Sequence, residues 1–202
     1  SITSSNLDEF FMVRVASLKD MVHANYKKKD IAGMSASEQL EKINERTREL
    51  VTLQYNTYNR SLVPLMHQHG IVVIDAFEDL SESQAAFVDR YFEDNVYPVL
   101  TPMAVDASRP FPLIRNKTLN IAALLSKKKG KAEKEEIEFA TVQVPSVLPR
   151  LVHIPSEDGN EKTFILLEQV IERNIDKLFL NYDVLCAYPY RVMRNADLSI
   201  DE

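Results

Sequence analysis

Three basic side chains lie in and just after a proline-rich stretch and could together bind an anion. Arg109, Arg115 and Lys117 follow or accompany prolines at positions 98, 102, 110 and 112. Proline fixes its own φ and pushes the preceding residue into extended conformations, so this backbone should be fairly rigid. It could present the three cations to a phosphate group. The alternative is that they form salt bridges between domains or across a dimer.

Arg14 lies on the apolar stripe of an amphipathic helix, between Leu7 and Leu18. A charged side chain in such a place needs a partner or access to solvent. The guanidinium could bind a phosphate through two hydrogen bonds. It could instead pair with a carboxylate of the same helix, for which Asp8 and Glu9 are the candidates.

Two other polar clusters give weaker indications of a site. His67 and His69 are two positions apart, and such side chains diverge on a helix, so they cannot chelate one metal ion. Lysines at 127–129 and 131 could bind a polyanion, but acids at 133, 135 and 136 follow them, and a solvated hairpin tip also explains this run. We therefore predict no metal site in the chain.

Composition describes an ordinary folded protein and excludes several classes. The 202 residues are 45% hydrophobic and 27% charged, with a net charge of −6, whereas general nucleic-acid binders usually carry a basic excess. No apolar run reaches the roughly 18 residues that a membrane helix needs, and no signal peptide is visible. The lone Cys186 excludes a disulfide framework within the chain, and we expect a reducing, cytoplasmic location.

Two antiparallel helices are predicted for residues 1–70. Asn6 fits the N-cap of the first helix, because an acid follows it three residues later. The second helix should start near Ser35 or Ser37 and end before Gly70. Two helices are few for an independent core, and the sequence begins with serine rather than methionine. We therefore expect a third helix to be missing, so that this N-terminal domain is incomplete at its start.

From residue 71 the pattern changes to an α+β region, predicted over 71–202. Ser81 fits the N-cap of a helix in this region. Alternation and β-branched residues predict a mostly antiparallel sheet. The predicted strands are 71–74, 118–125, 137–144, 150–154 and 184–192, and the predicted helices are 81–95 and 164–179.

Two long segments resemble the bacterial-type polyphosphate kinases, the large family with phospholipase D-like modules. They are SSNLDEFFMVRVA at 4–16, and PVLTPMAVD at 98–106 continued by PFPLIRNKTLN at 110–120. The ending RNADL at 194–198 is also similar to the family. The segments stand in the family's order and span nearly the whole chain.

The resemblance implies that the parent protein reversibly transfers the terminal phosphate of ATP to inorganic polyphosphate through a phosphohistidine, with Mg²⁺ assisting the phosphates. It implies that residues 1–70 belong to a helical N-terminal domain and residues 71–202 to a head domain, truncated at its end, that makes dimer contacts. It also assigns adenine contact to the asparagine that matches Asn6. The family's C-terminal modules need His-x-Lys, and no histidine here is followed two positions later by lysine. The phosphohistidine and the magnesium ligands are therefore expected outside this chain, which should be inactive alone.

Two hypotheses for the chain's own role stay open. In the first, Asn6 contributes to the adenine site and the head domain forms a dimer or a dimer of dimers. ATP or ADP and polyphosphate are then the ligands, and nucleic acid is not. In the second, the chain is a purely structural and dimerisation module without ligand contact. A cytoplasmic location fits both, with peripheral membrane association as an alternative.

Overall fold

The structure, a computed structural model, describes residues 2–105, 111–127, 137–156 and 159–195. Contacts within the chain divide it into two compact units. Residues 1–64 with 193–202 form the helical unit, and residues 65–192 form the sheet unit. Within the described ranges, no helix has the length and apolar character needed to cross a membrane.

The helical unit consists of two helical arms joined by a short loop, and α2 packs against α3. Each arm contains one π-helical turn of five residues. The first arm comprises α1 (Ile2–Phe10), the turn Phe11–Val15 and α2 (Ala16–His23); the second comprises α3 (Ala36–Thr57), the turn Tyr58–Leu62 and α4 (Val63–Gln68), whose last residues belong to the sheet unit.

The two arms begin differently from each other. α3 starts at a capping box in which Ser35 Oγ accepts from the N–H of Glu38 and the Glu38 carboxylate accepts from the N–H of Ser35. This confirms Ser35 as the helix start. The predicted cap at Asn6 is wrong, because α1 already begins at Ile2 and Asn6 lies inside it. The residues before Asn6 include neither glycine nor proline, so nothing local stops the helix from extending upstream.

The sheet unit contains two sheets. The three-stranded sheet has the order β1-β6-β5, with β1 parallel and β5 antiparallel to β6; the four-stranded sheet has the order β2-β4-β3-β7 and is antiparallel throughout. The strands are β1 (Ile71–Ile74), β2 (Pro102–Val105), β3 (Leu119–Lys127), β4 (Ile137–Gln143), β5 (Leu151–Ile154), β6 (Lys162–Leu166) and β7 (Tyr182–Arg191). The predicted α+β class with a mostly antiparallel sheet is confirmed.

Helices of the sheet unit pack with these strands. Ser81 caps α5 through a capping box, as the sequence predicts. The predicted helix over 164–179 is wrong in its first part, because residues up to Leu166 belong to β6, which pairs with β1 and β5 on its two sides. The helical segments are α5 (Glu82–Tyr91), a π-helical turn at Phe92–Val96, α6 (Leu167–Arg173) and 3-10 turns at Phe77–Asp79, Tyr97–Val99 and Ile175–Leu178.

The hydrophobic core lies in the sheet unit. Its largest fully buried side chains come from α5 with its π-helical turn, from α6 and from both sheets, and include Phe92, Ile121, Ile154, Ile165 and Leu167. In the described part of the helical unit, by contrast, the buried apolar residues are Val15, Leu18 and Ala36.

Candidate functional site

Asn6 is exposed on α1, in the interior of the helix. Because it does not cap the helix, its carboxamide is not committed to a backbone N–H of the first turn. Phe10 lies one helical turn later, on the same face, and is 39% exposed. The Phe10 ring meets Phe11 edge-to-face, with 6.0 Å between the ring centroids. α1 therefore presents an amide and an aromatic ring side by side.

Arg14 lies in the first π-helical turn and contacts the second arm. Its Nη2 donates to Oε1 of Gln39 at 2.9 Å. Nε2 of Gln39 in turn donates to the carbonyl oxygen of Met34 at 3.4 Å. This bond joins Arg14 to an amide of the second arm, and the pairing of Arg14 with Asp8 or Glu9 stays a prediction.

A cavity of about 540 Å³ lies beside Arg14, and we call it the loop cavity. It is bounded by the first π-helical turn and α2, by the loop after α2 and by the start of α3. Its lining includes Arg14, Tyr26, Lys28, Lys29, Asp30 and Gln39. The sequence showed the lysines only as a charged loop, since nothing local indicates that they meet an arginine from the preceding helix.

The loop that lines this cavity is held by its own aspartate. Oδ1 of Asp30 accepts from the N–H groups of Ala32 and Met34, both at 2.9 Å. Gly33 between them has a φ of +79°, a conformation that residues with a side chain rarely adopt. These bonds fix the backbone that carries the two lysines.

The start of α3 adds a second carboxylate near the loop. Hydrogen bonds from the backbone and side chain of Ser35, and then the charge of the Lys29 ammonium, hold the pKa of Glu38 below its usual value. The Lys29 charge is therefore felt at the first turn of α3. The carboxylate itself is engaged with its own helix cap.

The turn at residues 115–118 brings two predicted anion-facing residues together. Lys117 has a φ of +63°, and its N–H donates to the carbonyl oxygen of Val192 at 2.9 Å. Nε of Arg191 donates to the carbonyl oxygen of Lys117 at 2.7 Å, while Arg115 is exposed nearby on the same turn. Sequence patterns missed Arg191, because it reaches the turn only through the register that pairs it with Leu119.

Some predicted features lie outside the described residues. Arg109 is among them, and so is the tip of the lysine-rich segment from residue 128 to residue 136. Within the described ranges, no group of three or more histidine, cysteine, aspartate and glutamate side chains could hold a metal ion.

Glu172 on α6 is a buried carboxyl group that no sequence pattern indicated. It is 9% exposed, and Nε2 of Gln169 donates to its Oε2 at 3.0 Å. Oε1 of the same Gln169 accepts from the N–H of Phe77. Burial, and then the charges of Glu168 and Glu78, raise the pKa of Glu172 to about 7.

Nearby cations are engaged with other carboxylates. Three pairs form, namely Arg150 with Glu168, Arg173 with Asp89 and Lys177 with Glu93. The donor to Glu172 is a neutral amide rather than a cation, so the burial and the neighbouring carboxylates that disfavour the charged form outweigh it.

Comparison of the sequence with known families identifies the family of this chain. Residues 1–74 match the family model described as the polyphosphate kinase N-terminal domain, and residues 83–202 match the one described as the polyphosphate kinase middle domain. The chain belongs to the polyphosphate kinase family. Asn6, Arg14 and the loop cavity lie in the part that matches the N-terminal domain, whereas Arg115, Lys117 and Arg191 lie in the part that matches the middle domain.

Relatives within the family cover the whole chain. It is 51% identical to a polyphosphate kinase of Lactiplantibacillus plantarum over 201 residues and 48% identical to one of Halalkalibacterium halodurans over 203 residues. A crystal structure of the Porphyromonas gingivalis polyphosphate kinase superposes on 99% of the chain with a TM-score of 0.80 at 28% identity. The chain spans 27% and 28% of the length of the two curated relatives and 28% of the crystallised chain.

Proposed function

We propose that this chain is part of an enzyme that reversibly transfers the terminal phosphate of ATP to inorganic polyphosphate, and that Asn6 contacts the adenine ring. The observation that carries the proposal is the paired match to the N-terminal and middle domains of polyphosphate kinases, in that order along the chain. The phosphohistidine of the reaction and the ligands of Mg²⁺ then belong to the rest of the enzyme. Binding and orientation of the nucleotide are the contributions left to this chain.

The surroundings of Asn6 support the adenine role. An asparagine carboxamide can pair with adenine by donating to one ring-edge atom and accepting from the amino group. The Phe10 ring, exposed one turn away, offers an apolar surface for the base. Each hydrogen bond of this kind contributes about 1 kcal/mol, so Asn6 would orient the base more than it would hold it.

Asn6→Ala in a chimaera tests this role. The matching 201 residues of the Lactiplantibacillus plantarum relative are replaced by this chain, and polyphosphate synthesis is measured. Asn6→Ala should raise KM for ATP about five- to thirtyfold, the equivalent of one or two lost hydrogen bonds, and should leave KM for polyphosphate unchanged. The substitution should not unfold the helix, since alanine is the better helix former.

Asn44→Ala is the matched control, because Asn44 is another exposed asparagine inside a helix. An unchanged KM for ATP in the Asn6 variant, or an equal rise in both variants, would overturn the adenine role. A folded chimaera without kinase activity would count against the assignment of the reaction itself.

A second candidate function is purely structural. The second arm of the helical unit exposes large apolar side chains, among them Leu53 at 64% and Tyr55 at 61%. Such a face favours a module whose task is to pack against other protein surfaces. On this hypothesis the head region sets the dimer, and light scattering should find the chain dimeric while no nucleotide binds.

A further inference from the structure

The loop cavity of the helical unit has the size and the sign of charge of an anion site. Its volume of about 540 Å³ falls in the range typical of small-molecule sites. Three of its lining residues are cationic: Arg14 comes from the first arm, and Lys28 and Lys29 come from the loop before α3. Cations that approach one cavity from separate segments can each contact a different part of one ligand.

Arg14 is held in place but keeps hydrogen-bonding capacity. The single bond from Nη2 to Gln39 uses one of the five N–H donors of a guanidinium. Gln39 is itself fixed by its bond to the carbonyl oxygen of Met34. Nη2 carries a second N–H, which together with the neighbouring donor on Nε or Nη1 forms a fork that binds an oxyanion through two bonds.

The carboxylates near the cavity accept hydrogen bonds from backbone N–H groups. Asp30 lines the cavity, yet its Oδ1 accepts from two N–H groups of its own loop. Glu38 accepts from the N–H of Ser35 at the helix cap. Their negative charges are thus partly compensated by backbone dipoles, and the cationic side chains dominate the cavity.

We propose that the loop cavity binds a linear oligophosphate, a chain of two or more phosphoryl groups, as an accessory anion site. Three cations on two segments suit several linked phosphoryl groups better than a single orthophosphate. The choice of phosphate among anions rests on the proposed function. The chain of phosphoryl groups could come from inorganic polyphosphate or from ATP, and Tyr26, which is 50% exposed on the lining, offers a ring that only a nucleotide base would use.

Calorimetric titration of the 202-residue chain at low salt tests the site, with tripolyphosphate, ATP and orthophosphate as ligands. Tripolyphosphate should bind more tightly than orthophosphate. The double substitution Lys28→Ala and Lys29→Ala should weaken tripolyphosphate binding at least about tenfold, because two charge-assisted contacts are lost. Both lysines are exposed, so the fold should persist, and circular dichroism checks this.

The matched control is the double substitution Lys42→Ala and Lys162→Ala, which removes the same charge from exposed positions outside the cavity lining. The control should bind tripolyphosphate as the unaltered chain does. Equal weakening of tripolyphosphate binding in both double variants would show that net charge alone explains the binding, and it would overturn the proposed site. Absence of tripolyphosphate binding by the folded chain would overturn it as well.

The ATP titration identifies the source of the phosphates. Equal affinity for ATP and tripolyphosphate, unaffected by Tyr26→Ala, supports an inorganic chain; tighter ATP binding that Tyr26→Ala removes supports a nucleotide. Kinase activity of the chimaera is measured separately. An inactive chimaera together with intact, lysine-dependent tripolyphosphate binding would overturn the proposed function and leave this site standing.

Discussion

Glu172 is a carboxyl group whose charge should change near neutral pH. Its pKa is raised to about 7 in the folded protein, above its usual value of 4.5. Between these two values the folded state keeps a proton that the unfolded state has lost. The contribution of Glu172 to the free energy of unfolding should therefore decrease as pH rises through this interval, and it should level off above pH 7.

Glu172→Gln should remove this component of the pH dependence. At pH 8 the variant should be more stable than the unaltered chain by about 1–3 kcal/mol, and at pH 4 the two should be nearly equal. Glutamine keeps the acceptor for Nε2 of Gln169 without the buried charge. Urea unfolding at both pH values measures the difference.

Glu168→Gln serves as the opposite control. Glu168 is 4% exposed and binds Arg150, so its neutralisation should destabilise the chain at pH 8. If Glu172→Gln shows the same pH dependence of stability as the unaltered chain, the raised pKa of Glu172 would be contradicted.

At the residue scale, the sequence indicated types of side chain better than it indicated their partners. Arg14 was recognisable as a misplaced cation, but its partner Gln39 lies 25 residues further along the chain. Arg191 reaches the turn of Lys117 across 74 residues. Such partners depend on how separate segments pack, and a single sequence does not carry that information.

At the element scale, the capping box at Ser35 gives a local test of helix stability. Ser35→Ala removes the side-chain acceptor for the N–H of Glu38 and should cost about 1 kcal/mol. Amide hydrogen exchange in the first turn of α3 should accelerate about fivefold. Ser37→Ala, on the same helix but outside the box, should leave the exchange unchanged; equal acceleration in both variants would refute a specific cap.

The elements that the sequence predicted well carry their signals locally. Serine caps at 35 and 81 and the β-branched run 71–74 need no distant partner to be recognised. The π-helical turns were not predicted, because the 3.6-residue spacing of apolar residues continues through them in the sequence. At Phe11–Val15 the turn separates Leu7, which is 38% exposed, from Leu18, which is fully buried, so one apparent stripe becomes two faces.

The end of β6 is an element boundary that the local sequence pattern predicted wrongly. Phe164 and Ile165 precede a genuine helix and continue its apolar spacing, which favoured a single long helix. Pairing with β1 and β5 on both sides overrides that local preference. The end of a strand that runs directly into a helix is thus hard to place from periodicity.

At the scale of the whole molecule, apolar burial is unequal between the two units. Of the 21 buried apolar residues in the described ranges, three lie in the helical unit. Residues 65–192 produced as a separate chain should therefore unfold cooperatively in urea, whereas residues 1–64 alone should show little cooperative structure. The division of domains at residue 70 remains a prediction.

Circular dichroism and urea titration of both pieces supply the measurement. Ile165→Ala in the longer piece is the internal check, because this fully buried side chain should contribute about 2–5 kcal/mol. Cooperative unfolding of residues 1–64 alone, with a midpoint like that of the intact chain, would contradict the unequal burial.

The four-stranded sheet ends at β7, which is ten residues long and pairs with β3 on one side within the described ranges. A long open strand can recruit a second chain and begin aggregation. Pro189, which lies opposite Ile121 in the register with β3, has no N–H to offer, and prolines within strands occupy positions whose nitrogen faces the open side of the sheet. This residue interrupts the row of backbone N–H donors along the open edge. It therefore opposes aggregation through edge-to-edge strand pairing in a concentrated solution of the protein.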